Sequence, residues 1–467
     1  MTDSPHIPET LKFDLLNKIK LLKDVRHEIR KKRFILDESR EKFGFDDMTQ
    51  LSKVKNTSEV KGYPFVASKI ESRVLKGLKL GLKIVPIETK FEKYEHPTNL
   101  EFLALKELTD NIVCKNICPH VVFYLGHQKV SNKSRALKFL NLKRLEVEDL
   151  IRTNSNMLIS EYIEGGSLDT WIYNIYENEK TISDKNWRII VFQLIYTIAV
   201  MQHYYRMMHN DFHYGNILMD TTIKKVDGQY FVYIINNETY YIPNVGFIPK
   251  LWDFEFAMTY SDNIPDFYPN KFIIGHSDYD RKKHITTEPI PGDDNSFDSD
   301  DLNVPYNYNE VYDLHYFLTS LLDLYISEEL FNWILKVYPD ELIPREESSS
   351  SSSSSSNTQS DSDDTSTSNS LSDTGLESLT LSSDSTTTSN SQSCTTGADA
   401  SSEASSTSST SSAYNRYLSE GRLKNGMEHE FNLPTPLGIL KNAFFDEFKQ
   451  KPSDFDESKA IYFKSGF

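Results

Sequence analysis

The chain has 467 residues, with 51 Lys and Arg against 68 Asp and Glu, for a formal charge of -17 at neutral pH. That balance argues against a general nucleic-acid or membrane-surface binder, because phosphate-rich partners are held mainly by excess Lys and Arg. Cys114, Cys118 and Cys394 are too few for a disulfide framework or a four-ligand zinc site, and they fit a reducing compartment.

Met1 to Pro8 has no apolar core of the signal-peptide kind, so a cytoplasmic location is expected. Leu11 to Phe34 reads as a helix whose apolar stripe is Leu15, Ile19, Leu22, Val25 and Ile29, with Lys18, Lys23, Arg26 and Arg30 around it. Its basic face offers a docking surface for an acidic partner or an anionic membrane; the alternative is a solvated appendage packed on the main domain. From Ser58 to Ile87, β-prone runs alternate with Gly62, Gly77 and Gly81 and close on Leu82-Lys83-Ile84-Val85. Leu100, Leu103, Leu105 and Leu108 with Glu101 and Glu107 then make an amphipathic helix.

Val121 to Tyr124 and Met157 to Tyr162 read as strands, the second ending in the turn Glu164-Gly165-Gly166-Ser167, after which Ser167 and Asp169 open a helix. Asn186 to Arg206 is a long apolar helix. Its most apolar window, Ile189 to Met201, contains Gln193 and falls short of the roughly 20 apolar residues a membrane span needs, so no stable membrane insertion is expected. Ile217 to Met219 and Tyr230 to Ile235 read as strands, and Val311 to Tyr325 and Pro436 to Gln450 as helices. Between those helices, positions 348–412 hold 30 Ser and 12 Thr with no aromatic or basic residue, a composition that cannot bury enough apolar surface to offset chain ordering. Strands with one helix first and helices afterwards imply a small β-rich lobe followed by a larger α-rich lobe, an α+β architecture.

The chemistry concentrates in His209-Asn210-Asp211-Phe212-His213-Tyr214-Gly215-Asn216, which falls on a loop between the long helix and a strand. An Asp followed five positions later by an Asn can aim a carboxylate at a hydroxyl while the amide oxygen binds a metal carrying donor phosphates. Leu251-Trp252-Asp253-Phe254-Glu255 adds a carboxylate at a strand end, and Asp253 and Asn216 could share a magnesium ion, which prefers oxygen ligands.

This pair of loops resembles the catalytic and metal loops of the eukaryotic-type protein-kinase superfamily, H-x-D-x-x-x-x-N followed by D-F-G. Gly81-Leu82-Lys83-Ile84 looks like the strand ending in the phosphate-binding Lys, Glu101 like its helix partner, and Glu161-Tyr162-Ile163-Glu164-Gly165-Gly166 like the adenine-binding hinge. Val311-Tyr312-Asp313-Leu314 looks like the brace of the catalytic loop, and Thr435 to Phe445 like the last helix of many protein kinases. The whole pattern is most similar to serine/threonine kinases of large cytoplasmic DNA viruses.

The resemblance implies a bilobal protein-kinase-like fold with ATP and Mg2+ as cofactors, a protein Ser or Thr hydroxyl as acceptor, and the host cytoplasm or virion as location. It assigns Asp211, Asn216 and His213 to catalysis, Lys83, Glu101, Glu161, Ile163 and Gly62 to nucleotide binding, and Asn216 and Asp253 to metal. The expected division is an N-terminal extension (1–57), a small lobe (58–163), a large lobe (164–347), the Ser/Thr-rich insertion (348–412) and a closing part of the large lobe (413–467).

Departures stand beside the match. Gly62 is the main trace of a Gly-rich loop, Asn210 stands where many regulated kinases have Arg, His213 where a Lys is usual, and Glu255 where the motif has Gly. The combination His-x-Asp-x-His-x-x-Asn also occurs in small-molecule kinases of the aminoglycoside and choline type, and a pseudokinase scaffold is a third reading. Retention of Lys83, Asp211, Asn216 and Asp253 speaks against the last.

Overall fold

The computed structural model describes residues 12–32, 36–37, 42–43, 48–53, 63–70, 79–87, 97–130, 154–259, 308–344, 418–419, 421–424 and 430–466. The Ser/Thr tract, Gly62 and the acidic stretch at 288–305 lie outside them.

Five antiparallel strands form the first sheet: β1 (Met48–Lys53), β2 (Tyr63–Ile70), β3 (Leu80–Ile87), β4 (Tyr124–Val130) and β5 (Asn154–Glu161), in the order β1-β2-β3-β5-β4. Lys83 lies on β3 opposite Leu158 of β5. The strand expected from Val121 starts instead at Tyr124, and Val121 makes only a single parallel bridge to Leu251.

Helix α1 (Leu15–Lys32) packs on this part of the molecule. Leu15, Ile19, Leu22, Val25 and Ile29 are all buried, each contributing on the order of 1.5–3 kcal/mol of transfer free energy. A Cβ on Gly126 of β4 would sit 3.3 Å from the Ile29 side chain, a tight contact, so the glycine eases the close approach of the helix. The helix packs on the main domain as the appendage reading has it, but two of its basic residues need moving. Lys18 and Arg26 belong to the buried face, three or four residues from its apolar members, rather than to the polar rim. Arg26 pairs with Asp110 at 2.5 Å, and Asp110 lies in the irregular turn after α2 (Pro97–Leu108).

The remainder is richer in helix, with α3 (Leu168–Glu177), α4 (Asp184–Tyr205), α5 (Tyr312–Ser320), α6 (Glu328–Val337) and α7 (Pro436–Leu440). α4 is buried nearly all round from Trp187 to Gln202; it starts at a Ser183 cap that accepts the Asn186 N–H and stops at Arg206 in the left-handed region. Small sheets frame it. β6 (Ile217–Asp220) pairs antiparallel with β9 (Ile248–Leu251). β7 (Tyr230–Ile235) pairs antiparallel with β8 (Glu238–Pro243) and parallel with β10 (Ile461–Lys464).

Two expected helices come out shorter. The segment from Val311 is α-helical only to Ser320 before a tight turn at Leu321–Asp323. The segment from Pro436 breaks at Asn442, whose side-chain oxygen takes the Phe444 N–H and so competes with helix continuation.

Candidate active site

β3 carries the buried Lys83, whose ammonium lies 3.1 and 3.0 Å from the two Glu101 oxygens and 3.0 Å from Asp253 Oδ1. Lys83 and Glu101 are 4% and 1% exposed, so these are strong charge interactions in a dry site, while the Asp253 side chain is 24% exposed and opens outward. Burial works against the charge on Lys83, but Asp253 and Glu101 overrule it and hold the ammonium above its ordinary range. For Glu101 burial pushes the carboxyl up against the pull of Lys83.

The second group sits on the loop between α4 and β6. The Asp313 carboxylate at the start of α5 accepts the backbone N–H of His209 at 2.6 Å and of Asn210 at 2.9 Å. Asn210 has φ 62°, a left-handed conformation that Asn tolerates better than most residues, and its side chain donates to Phe256 O. The Asn216 amide nitrogen donates to the Asp211 carbonyl at 2.9 Å and to Asp211 Oδ2 at 2.7 Å. His213 Nε2 lies 3.7 Å from the same oxygen. Burial opposes ionisation of Asp211, yet His213 and Arg422 hold its carboxyl well below the usual range.

The two groups are tied together. Trp252 N–H donates to Asn216 O at 2.9 Å, His209 Nε2 meets Trp252 O at 2.9 Å, and Asp253 itself is left-handed, with φ 60°. Because both acceptors of the Asn216 amide nitrogen belong to Asp211, the amide oxygen is turned the other way. Asn216 Oδ1 and the Asp253 carboxylate are thus the oxygen donors that could hold a hard divalent cation; no cluster of three His, Cys, Asp or Glu occurs among the described residues. A cavity of about 260 Å³ opens beside the loop, lined by His213, Tyr214, Tyr316, Asp323 and Gly421 among others.

Lys83, Glu101 and Asp253 are therefore brought together, as are Asp211, Asn216 and His213. Glu161 faces elsewhere. Its side chain accepts Phe123 N–H at 2.8 Å, meets Lys250 at 2.5 Å and Lys18 at 3.1 Å, and its own N–H goes to Phe123 O. Ile163 is buried just beyond it, and at Gly165 a side chain would strike Met219 O, so this turn needs glycine.

Sequence reasoning missed Lys250 and Arg422 and placed Lys18 on the polar face, missing its buried ion pairs. The helical spacing of Lys18 could have revealed it. Arg422 had no local signal, since it contacts Asp211 from 211 positions away.

No family model matches the chain. It is similar to a protein of Acanthamoeba polyphaga mimivirus whose name assigns it to the serine/threonine-protein kinases, 25% identical over 52% of this chain and 52% of that one. A Dictyostelium discoideum protein named likewise is 38% identical over 21% of this chain and 8% of its own length. A second mimivirus protein is 36% identical over 14% and 17%. The chain thus spans about half the length, or less, of these relatives. Among solved structures, the BubR1 kinase domain aligns with 53% of this chain and 63% of its own at 14% identity and a TM-score of 0.30. The similarity to the viral proteins, with the α+β layout that brings these two loops together, supports a protein-kinase-like superfamily for this chain.

Proposed function

We propose that the chain transfers the γ-phosphoryl group of ATP to a Ser or Thr hydroxyl of a protein. The observation that carries this reading is the Lys83 ammonium held between Glu101 and Asp253, next to a loop that presents Asp211 and Asn216. Lys83, fixed by Glu101, positions the phosphates. Asp211 orients the acceptor hydroxyl, whose oxygen forms the new P–O bond as the bond from the γ-phosphorus to the bridging oxygen breaks. The hydroxyl proton passes to Asp211, which His213 and Arg422 keep ionised and so able to accept it. Asn216 and Asp253 would hold magnesium, which when bound neutralises phosphate charge. Glu161 and Ile163 would line the adenine side through their backbone, where the Glu161 carbonyl is also met by Ser160 Oγ at 3.1 Å. Acceleration then comes from positioning and charge rather than from a covalent intermediate.

The test incubates the full chain with labelled ATP and magnesium, offering protein and small-molecule acceptors in parallel, beside Asp211→Asn. Label in protein Ser or Thr that disappears in the variant is the expected result. Label only in an aminoglycoside or choline-type acceptor, or no transfer with nucleotide binding intact, would replace this reading with the small-molecule or scaffold alternative.

A further inference from the structure

A short hairpin beyond the Ser/Thr tract, Leu418–Ser419 with Arg422–Leu423, carries an arginine directly onto the catalytic loop. Arg422 Nη2 donates to Asp211 Oδ1 at 2.5 Å and to Tyr316 Oη at 3.2 Å, and Nη1 donates to the Asn210 carbonyl at 2.5 Å. The guanidinium also lies over the Tyr316 ring, 4.2 Å from its centre, and the residue is only 3% exposed. Leu418 and Leu423 on either side are buried in the core, so the hairpin is anchored rather than resting on the surface.

We propose that Arg422 is a positioning residue for Asp211, fixing both the carboxylate rotamer and the left-handed backbone of Asn210, so that the catalytic loop is complete only with this hairpin in place. The inference rests on the role given to Asp211 above. A carboxylate has about four lone-pair sites; Arg422 occupies one on Oδ1 and Asn216 one on Oδ2, beside which His213 Nε2 also lies at 3.7 Å, so the second site on Oδ1 is the one left for an acceptor hydroxyl. An arginine suits the task because it stays protonated and so cannot compete for the hydroxyl proton, and its planar fork reaches side chain and backbone at once. Gly421, the adjacent residue, lines the cavity together with His213, so an acceptor entering there meets the loop on the side that Arg422 supports.

The experiment compares wild type with Arg422→Gln, Arg422→Lys and Arg422→Ala in steady-state transfer and in hydrogen exchange of the segment 209–217. In the glutamine and alanine variants kcat should fall on the order of 10–100-fold with KM for ATP held within about twofold. Lysine should recover part of the loss, and free guanidinium should raise the alanine variant toward wild type. Exchange over 209–217 should quicken in Arg422→Gln while α4 stays protected. Unchanged kcat, a rise in KM for ATP alone, or a rise in kcat overturns the proposal, the last because it makes the guanidinium an occluding plug. Should glutamine and alanine fail to fold, the lysine variant carries the comparison through its kcat. Exchange needs no turnover: absence of transfer by wild type defeats the proposed function, whereas unaltered exchange in Arg422→Gln defeats the positioning role by itself.

Discussion

Two clusters of buried lysine and carboxylate lie among the described residues, and they differ in balance and in access. Lys18 and Lys250 meet Glu161 and Asp220, two cations with two anions, with side-chain exposures of 0–3% throughout. Lys83 meets Glu101 and Asp253, one cation with two anions, and Asp253 opens outward. The closed, neutral cluster joins α1, the end of β5, β6 and β9, and is complete without a ligand. The open one carries surplus negative charge at its mouth, the arrangement expected where a cation and a phosphate chain are to be received. Buried ion pairs alone therefore do not single out a candidate site; charge balance and access separate the two.

The sharpest way to break this contrast is to remove one lysine from each. Lys18→Met leaves Asp220 and Glu161 short of a partner and should cost about 3–5 kcal/mol of stability, with transfer by the folded fraction nearly unchanged. Lys83→Met should lose transfer by about 10²–10³-fold while its unfolding midpoint moves less. Denaturant unfolding and initial rates on both proteins read the two effects; lost transfer in the Lys18 variant at full folding would merge the clusters into one functional unit.

Within the open cluster, Asp253→Asn should abolish transfer, whereas Glu255→Gly, one residue past the same Phe254, should keep it within a few-fold. If the asparagine variant turns over and the glycine variant is dead, the metal loop has been assigned to the wrong carboxylate.

Buried histidines sharpen the comparison from the other side. Burial lowers His120 to about 3 and His209 and His315 to about 4; both ring nitrogens of His120, and Nε2 of His315, face carbonyl or hydroxyl oxygens rather than carboxylates. Below the unfolded value near 6.5 the unfolded chain takes up protons that the folded one refuses, so stability is lost as pH falls from about 6.5 toward 4. Asp313, raised by burial to about 6, works in the opposite direction over part of that window. At pH 5.5 each histidine costs about 1.4 kcal/mol and Asp313 returns about 0.8 kcal/mol, for a net loss near 3 kcal/mol relative to pH 7.5. Unfolding curves at the two pH values check this, and His315→Asn should remove roughly a third of the histidine share.

The smallest effect belongs to the half-exposed fork in which Arg188 meets Glu329 at 2.5 Å and Glu447 at 2.6 Å. Screened by solvent, it should be worth about 0.2–1 kcal/mol in a double-mutant cycle. A coupling as large as that of Lys18 would show that burial is not what separates these networks.

The sequence made the two loops legible because their chemistry is local: Asp211 and Asn216 sit five positions apart, and Asp253 follows an apolar strand. Long helices were legible too, through the spacing of Leu15 to Ile29 and the apolar run after Trp187. β8 and β10 escaped, since short strands carry little periodicity and β10 acquires its meaning only from a distant neighbour. Arg422 escaped for the same reason. A side chain that acts across the fold leaves no pattern in its own neighbourhood.

The parallel pairing of β10 with β7 carries a consequence for synthesis. Phe231 and Ile461 are register partners, so the middle strand of that sheet emerges from the ribosome some 230 residues before its neighbour, roughly 12–46 s earlier at ordinary elongation rates. During that interval β7 has only its hairpin partner β8, and an apolar edge made of Phe231, Val232 and Tyr233 is left open, the kind of edge on which nascent chains aggregate or recruit chaperones.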